Sequence, residues 1–175
     1  MAGEREANVL GALAQALTDR TAAAVTAATG HSSSAAAALT ALDQFLERPT
    51  LDRLRLVLGL TPSGAVRLVD RLSAAGLVTR GPGDDGRSRS VMLTDRGRAA
   101  AAEVAAARSS VLRSLLADLP AGELAVLGRL LDRLMAGVVA TKDGGAWICR
   151  QCDLAACERA AGRCPAATAA AARYG

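Results

Sequence analysis

Four cysteines fall within a short stretch near the end of the chain, Cys149, Cys152, Cys157 and Cys164, in the spacing C-x2-C-x4-C-x6-C with Pro165 directly after the last. Four thiolates are the ligand set of structural zinc or of an iron–sulfur cluster, and a C-x2-C turn commonly supplies two ligands to one ion. Only the first pair has that spacing, so zinc and a cluster both stay open as cofactors. A redox-switching disulfide and four independent thiols are the other readings. Zinc would fold the tail, whereas a cluster would make it a sensor of oxygen, nitric oxide or iron supply. The second concentration of chemistry is cationic. Seven arginines and four aspartates between Thr61 and Arg98 carry three of the four net positive charges of the chain. Such a balance suits an anionic partner.

The elements that must position those arginines follow from capping and turn chemistry. Thr61 is a good N-cap and Pro62 suits the first helical position, where a missing N–H has no partner to lose. In the helix that follows, Val66, Leu68, Val69 and Leu72 form the expected apolar side. Ser63, Gly64, Arg67 and Arg71 are spaced onto the opposite face. Gly76 ends the helix. Leu77–Arg80 and Ser88–Thr94 are strand-like, and the six residues from Gly81 to Gly86 between them favour a hairpin tip. Arg87, Ser88 and Arg89 then project beside the helix. A basic helix next to a basic hairpin is the geometry of a winged helix-turn-helix, whose helix enters the major groove of DNA while the hairpin follows the backbone or the minor groove.

The run from Leu60 through GLVTR to DDGRSRSVMLTDRGR resembles the MarR family of bacterial transcription regulators. The shared pattern is a recognition helix, a Gly-Leu-Val turn, an Asp-x-Arg-Ser wing and a Leu-Thr-x-x-Gly opening to the next helix. By helical plan the resemblance covers about Glu4 to Ala140 and stops short of the cysteine tail. It implies a mainly α fold with a small β wing, and long N- and C-terminal dimerisation helices. It implies a homodimer on double-stranded DNA with a pseudo-palindromic operator, and a DNA-binding set of Thr61, Ser63, Gly64, Arg67, Arg71, Arg87, Ser88 and Arg89.

The rest of the chain divides into helices by the same signals. Glu4 to Thr29 reads as one helix with Leu10, Leu13, Leu17 and Ala24 on one face and Gly30 as its stop. Ser32–Ser34 cap a second helix carrying Leu39, Leu42, Phe45 and Leu46, which runs toward Pro49. Thr50 caps a third, with Leu51, Leu54 and Val57 inside and Gly59 at its end. Thr94 caps a long helix beginning in alanines. After Pro120, Leu124, Leu127, Leu131, Leu134 and Val138 recur at alternating three- and four-residue steps, like a coiled-coil seam. The resemblance places the dimer interface on the first helix and the last two. Two units result, a winged-helix and dimerisation unit at 1–140, expected to fold without help from the tail, and a cysteine-rich tail at 141–175.

Composition narrows the function classes. The chain is 51% hydrophobic, much of it alanine, with only 2% aromatic residues, which favours helices and leaves little to stack on aromatic effectors. No apolar run approaches the roughly 20 residues that span a bilayer, and MAGEREAN lacks a signal core, so a cytoplasmic protein without a membrane partner is expected. A thiol–disulfide oxidoreductase would place its C-x2-C at a helix start within a βαβ unit, and no such strand pattern exists here. With no Ser/His/Asp set, phosphate-cradling glycine loop or histidine metal site, the expectation is a regulator and not an enzyme. The cysteine tail is its candidate metal or redox sensor. A small-molecule pocket with a purely structural zinc tail, or a zinc-stabilised protein-interaction adaptor, is the alternative.

Overall fold

The computed structural model describes residues 3–83, 89–141 and 146–174. Its order is α1 (Glu4–Thr29), α2 (Ser33–Gln44), α3 (Leu51–Leu58), α4 (Pro62–Ala74), β1 (Val78–Pro82), β2 (Arg89–Leu93), α5 (Asp95–Leu116), α6 (Ala121–Thr141) and α7 (Pro165–Tyr174). Two 3-10 turns, Cys149–Gln151 and Arg159–Ala161, precede α7. The fold is mainly α, with one small antiparallel sheet among the described residues.

Each cap the sequence signals is made. The hydroxyls of Ser32, Thr50, Thr61 and Thr94 accept from the backbone N–H of Ala35, Arg53, Gly64 and Gly97 at 3.4, 3.2, 3.1 and 3.0 Å. Each such cap typically contributes about 1 kcal/mol. Between α3 and α4 the chain reverses at Gly59, whose φ of 69° lies in the left-handed region open to glycine.

The main core lies where α2, α3, α4, the wing and the start of α5 meet. Leu39, Leu54, Leu68, Val69 and Leu72 are its large buried members, joined by Leu77, Val78 and Val91 from the hairpin. α2 is its axle: every residue from Ala35 to Ala41 is buried. Alanines there let neighbouring backbones approach from all sides. Val25, Ala36 and Val104 form a second cluster that ties α1 and α5 to α2. A third joins α6 to the tail through Val139, Cys164 and Ala166.

β1 and β2 pair in antiparallel register from Val78 opposite Leu93 to Pro82 opposite Arg89. A third edge is added by Pro49 and Thr50, whose segment bridges to Ser90 and accepts the Val91 N–H at 2.9 Å. Gly81 and Pro82 therefore belong to β1 and not to the hairpin tip. Proline is tolerated there because β1 is an edge strand, and its carbonyl accepts from Arg48 Nη2 at 2.7 Å and Ser90 Oγ at 3.0 Å. α2 also ends earlier than Pro49 requires. The N–H groups of Phe45 and Leu46 both close on the Ala41 carbonyl, turning the chain out of the helix at Phe45.

The Leu-Thr-x-x-Gly segment has a steric explanation. A Cβ on Gly97 would stand 1.9 Å from the Leu77 carbonyl oxygen, so only glycine lets the start of α5 press on the turn before β1. Thr94 fastens the same junction, its hydroxyl donating to the Gly76 carbonyl at 2.7 Å and its N–H to Leu77 O at 3.0 Å.

α6 is the exception to internal packing. Among the described residues its substantial contact is with α7. Leu124, Leu131, Leu134 and Val138 of the expected seam are exposed, Leu131 by 52%, and Leu127 is half-buried. The apolar residues Val9, Leu10 and Leu13 of α1 and Leu115 and Leu116 of α5 are exposed as well.

Candidate nucleic-acid interface and thiol cluster

α4 buries Ala65, Leu68, Val69 and Leu72, which leaves Ser63, Val66, Arg67, Asp70 and Arg71 on its outer face. Val66, expected on the apolar side, is 40% exposed. It sits one step off the buried 65/68/69/72 stripe, and its methyls join the arginines as surface able to meet a thymine methyl. Asp70 reaches across to Arg80 of β1 at 2.6 Å, an exposed ion pair that joins helix to hairpin. In the sequence these two appear only as charges. Arg67 and Arg71 pair with no carboxylate among the described residues. Arg89 is exposed at the foot of β2, opposite Pro82. Arg87 and Ser88 lie outside the described residues.

The remaining expected contacts divide by role. Ser63 is exposed, with Oγ 3.5 Å from the Thr61 hydroxyl. Thr61 and Gly64 make the cap, so the Gly64 N–H is already engaged and its residue is half-buried. The cationic surface left without carboxylate partners among the described residues is thus Arg67 and Arg71 on α4, with Arg89 exposed on the wing and Ser63 beside them, bonded to Thr61.

The thiols gather in two pairs, with none in a disulfide. Cys149 and Cys152 share a turn closed by the Cys152 N–H on the Cys149 carbonyl at 2.9 Å. The hydrogen bond with Cys152 draws the Cys149 thiol down to about 6 against the opposing effect of burial, helped by Arg159, whose Nη1 is 3.5 Å from the sulfur. That same hydrogen bond, with burial, pushes Cys152 well above the ordinary thiol range. Burial first, then the hydrogen bond with Cys164, raises Cys157 to about 11, and the charge of Cys149 adds to this. Cys149 and Cys164 are buried, Cys152 and Cys157 half-buried. Among the described residues no three cysteines, histidines or carboxylates form a ready metal-ligating group. The donor set itself suits a soft metal, being all thiol, with a guanidinium beside it to offset charge.

The tail docks on the winged-helix unit. Its Cys149–Gln151 turn rests on α2, Ala146 packs on the main core, and the Leu154 N–H donates to Gln44 Oε1 at 2.9 Å. Arg108 of α5 is close enough to Cys152 to act on its charge. The winged-helix unit and the tail thus share a packed surface, assembled from residues about a hundred positions apart. Between α1, α2 and α5 lies a cavity of about 280 Å³ reached by Arg108 and Gln151. The Nε of Arg108 is buried without a hydrogen-bond partner.

No protein-family model matches the sequence, and comparison with curated proteins gives no match. Solved structures do match. A MarR family transcriptional regulator from Rhodococcus sp. RHA1 is 21% identical with a TM-score of 0.62, over 78% of this chain and 94% of its own. The MarR family protein Rv2887 of Mycobacterium tuberculosis is 24% identical with a TM-score of 0.59, over 73% and 91%. A probable transcriptional regulator from Pseudomonas aeruginosa is 29% identical with a TM-score of 0.55, over 71% and 96%. The fold is a winged helix of the MarR type. More than a fifth of this chain has no counterpart in these three neighbours, which are themselves almost wholly covered. No helix among the described residues is long and apolar enough to cross a membrane.

Proposed function

We propose that the chain is a sequence-specific transcription regulator, a repressor, that binds double-stranded DNA as a homodimer. The observation that carries this is the pair Arg67 and Arg71, exposed on the outer face of α4 without carboxylate partners and fixed beside the wing by Asp70–Arg80. In this reading α4 lies in the major groove while the wing, with Arg87 and Arg89, reaches the flanking minor groove. The exposed apolar faces of α6, α1 and the end of α5 meet a second copy of the chain. Two recognition helices related by that two-fold axis read a pseudo-palindrome with half-sites about one helical turn apart.

The cysteine tail supplies the control. Cys149, Cys152, Cys157 and Cys164 hold zinc or an iron–sulfur cluster, and binding draws the two thiol pairs together. Because the tail rests on α2, loss of the metal or oxidation of the thiols alters the unit that carries α4. A second reading rests on the cavity between α1, α2 and α5: the unsatisfied Arg108 Nε suits an anionic effector, and the tail is then purely structural.

The test is binding of duplex DNA selected from a random pool, with the stoichiometry of the complex and its salt dependence. A two-to-one complex whose affinity falls steeply with salt is expected, since phosphate neutralisation releases counterions. A one-to-one complex, or binding that ignores ionic strength, overturns the reading. Metal and sulfide analysis of protein purified without oxygen separates zinc from a cluster.

A further inference from the structure

The tail closes a second cavity, of about 330 Å³, against the ends of α2 and α3. That volume falls in the range of about 300–1,000 Å³ usual for small-molecule sites. Its walls are of two kinds. Phe45 and Leu46 just past α2 and Ala166, Ala167 and Ala170 of α7 make one side apolar, while the exposed Arg53 of α3 and Arg159 of the tail, with the buried Cys149, make the other polar. Among the described residues no carboxylate lines it. Arg159 is partly compensated by the Cys149 sulfur at 3.5 Å, and the Arg53 guanidinium is paired with no carboxylate among the described residues. Two exposed guanidinium groups at the mouth of a partly apolar cavity, one of them without a carboxylate partner among the described residues, suit a ligand with an anionic head and an apolar body.

The geometry points to a binding site in this cavity for a small amphipathic monoanion, a carboxylate carrying a compact aliphatic body. Its head meets Arg53 and Arg159, and its body lies against Phe45, Leu46 and the α7 alanines. Guanidinium groups recognise carboxylates through charge-assisted, bidentate hydrogen bonds. The alanines matter by being small, since longer side chains on that face of α7 would occupy the space. A ligand here touches α3 of the winged helix and the cysteine tail at once. The site goes beyond the DNA-binding reading and does not depend on it. It is also separate from the cavity of Arg108, which lies between α1, α2 and α5.

The experiment uses the reduced full-length chain without DNA, titrated with octanoate and with neutral octanamide. Binding is followed by calorimetry and by emission of Trp147, the single tryptophan, which lies between the cavity residues Ala146 and Cys149 in sequence. Saturable octanoate binding is expected. Octanamide and the Arg53→Gln variant should each show affinity weaker by about tenfold or more, the usual scale for one charged hydrogen bond. Ala170→Leu, which fills the cavity without discharging it, should also abolish binding, and Arg108→Gln should leave it unchanged. Because Arg53 lies outside the tail, its variant still decides the matter if the Arg159→Gln tail fails to fold. No saturable binding, equal binding of octanamide, unchanged binding by Arg53→Gln or Ala170→Leu, or loss on Arg108→Gln overturns the proposal.

Discussion

α2 and α6 are both strongly apolar helices, yet one is buried on every side and the other is largely exposed. The difference lies in side-chain size. α2 turns seven consecutive positions from Ala35 to Ala41 inward and fills six of them with alanine or leucine, five of those alanine, so α3, α4 and α5 can crowd its backbone. α6 carries long leucines in a stripe that stays exposed, with no matching surface among the described residues. Small residues mark a helix surrounded by its own chain; an open leucine seam is what the proposed dimer would cover.

The strongest way to break that comparison is to charge α6. Leu131→Asp with Leu134→Asp should leave helicity and the main core intact and yield a monomer by light scattering. Operator affinity should then fall by about 10²–10⁴-fold, since two linked half-site contacts are reduced to one. If the variant stays dimeric, the seam is not the interface. In α2, by contrast, Leu39→Ala should lower unfolding stability by about 2–5 kcal/mol in a urea titration, because Leu39 is fully buried at the centre of the core. Leu131→Ala should cost the monomer much less.

Smaller effects sharpen the contrast between the DNA-facing unit and the tail. Arg67→Ala should weaken operator binding by about 1–3 kcal/mol in a fluorescence anisotropy titration without changing the melting temperature. A silent variant would move the readout off α4. Each single Cys→Ser change at 149, 152, 157 and 164 should reduce bound metal to a similar degree, whereas independent thiols would give one dominant position and three quiet ones. The smallest signal is spectroscopic. In reduced, metal-free protein one thiolate, that of Cys149, should appear at 240 nm as pH rises through about 6, and Arg159→Gln should move that step upward, since the guanidinium favours the ionised form.

What the sequence revealed of this fold was local. Ser32, Thr50, Thr61 and Thr94 cap their helices through atoms three residues away, and the α1 limits follow from Glu4 and Gly30 alone. The misplacements are tertiary in origin. Gly81 and Pro82 have turn-forming propensities, but their pairing with Ser90 and Arg89 and the contacts of the Pro82 carbonyl to Arg48 and Ser90 hold them in a strand. Val66 is apolar and helical, and only the position of α3 and the wing decides that it faces outward. α7 begins at the Pro165 that follows the last cysteine, in an alanine-rich segment compatible with a helix, and Val139 and Met135 of α6 supply its packing partner. Charge and helical spacing alone put Arg67 and Arg71 on the outer face of α4, where the structure has them. The Asp70–Arg80 strut is invisible because it joins two elements whose angle no local rule fixes.

The contact between Gly97 and the Leu77 carbonyl makes α5 and the reading head a single lever. With no side chain between them and Thr94 bonded to both Gly76 and Leu77, the start of α5 is held tightly against the turn before the wing. α5 has 22 residues, so at 1.5 Å per residue it is about 33 Å long. A tilt of about 5° pivoting on its far end carries the wing and α4 through roughly 3 Å over that length, comparable with the shifts that switch packed interfaces between states. In the proposed dimer, the spacing of the two α4 helices would then follow how the far ends of α5 are seated.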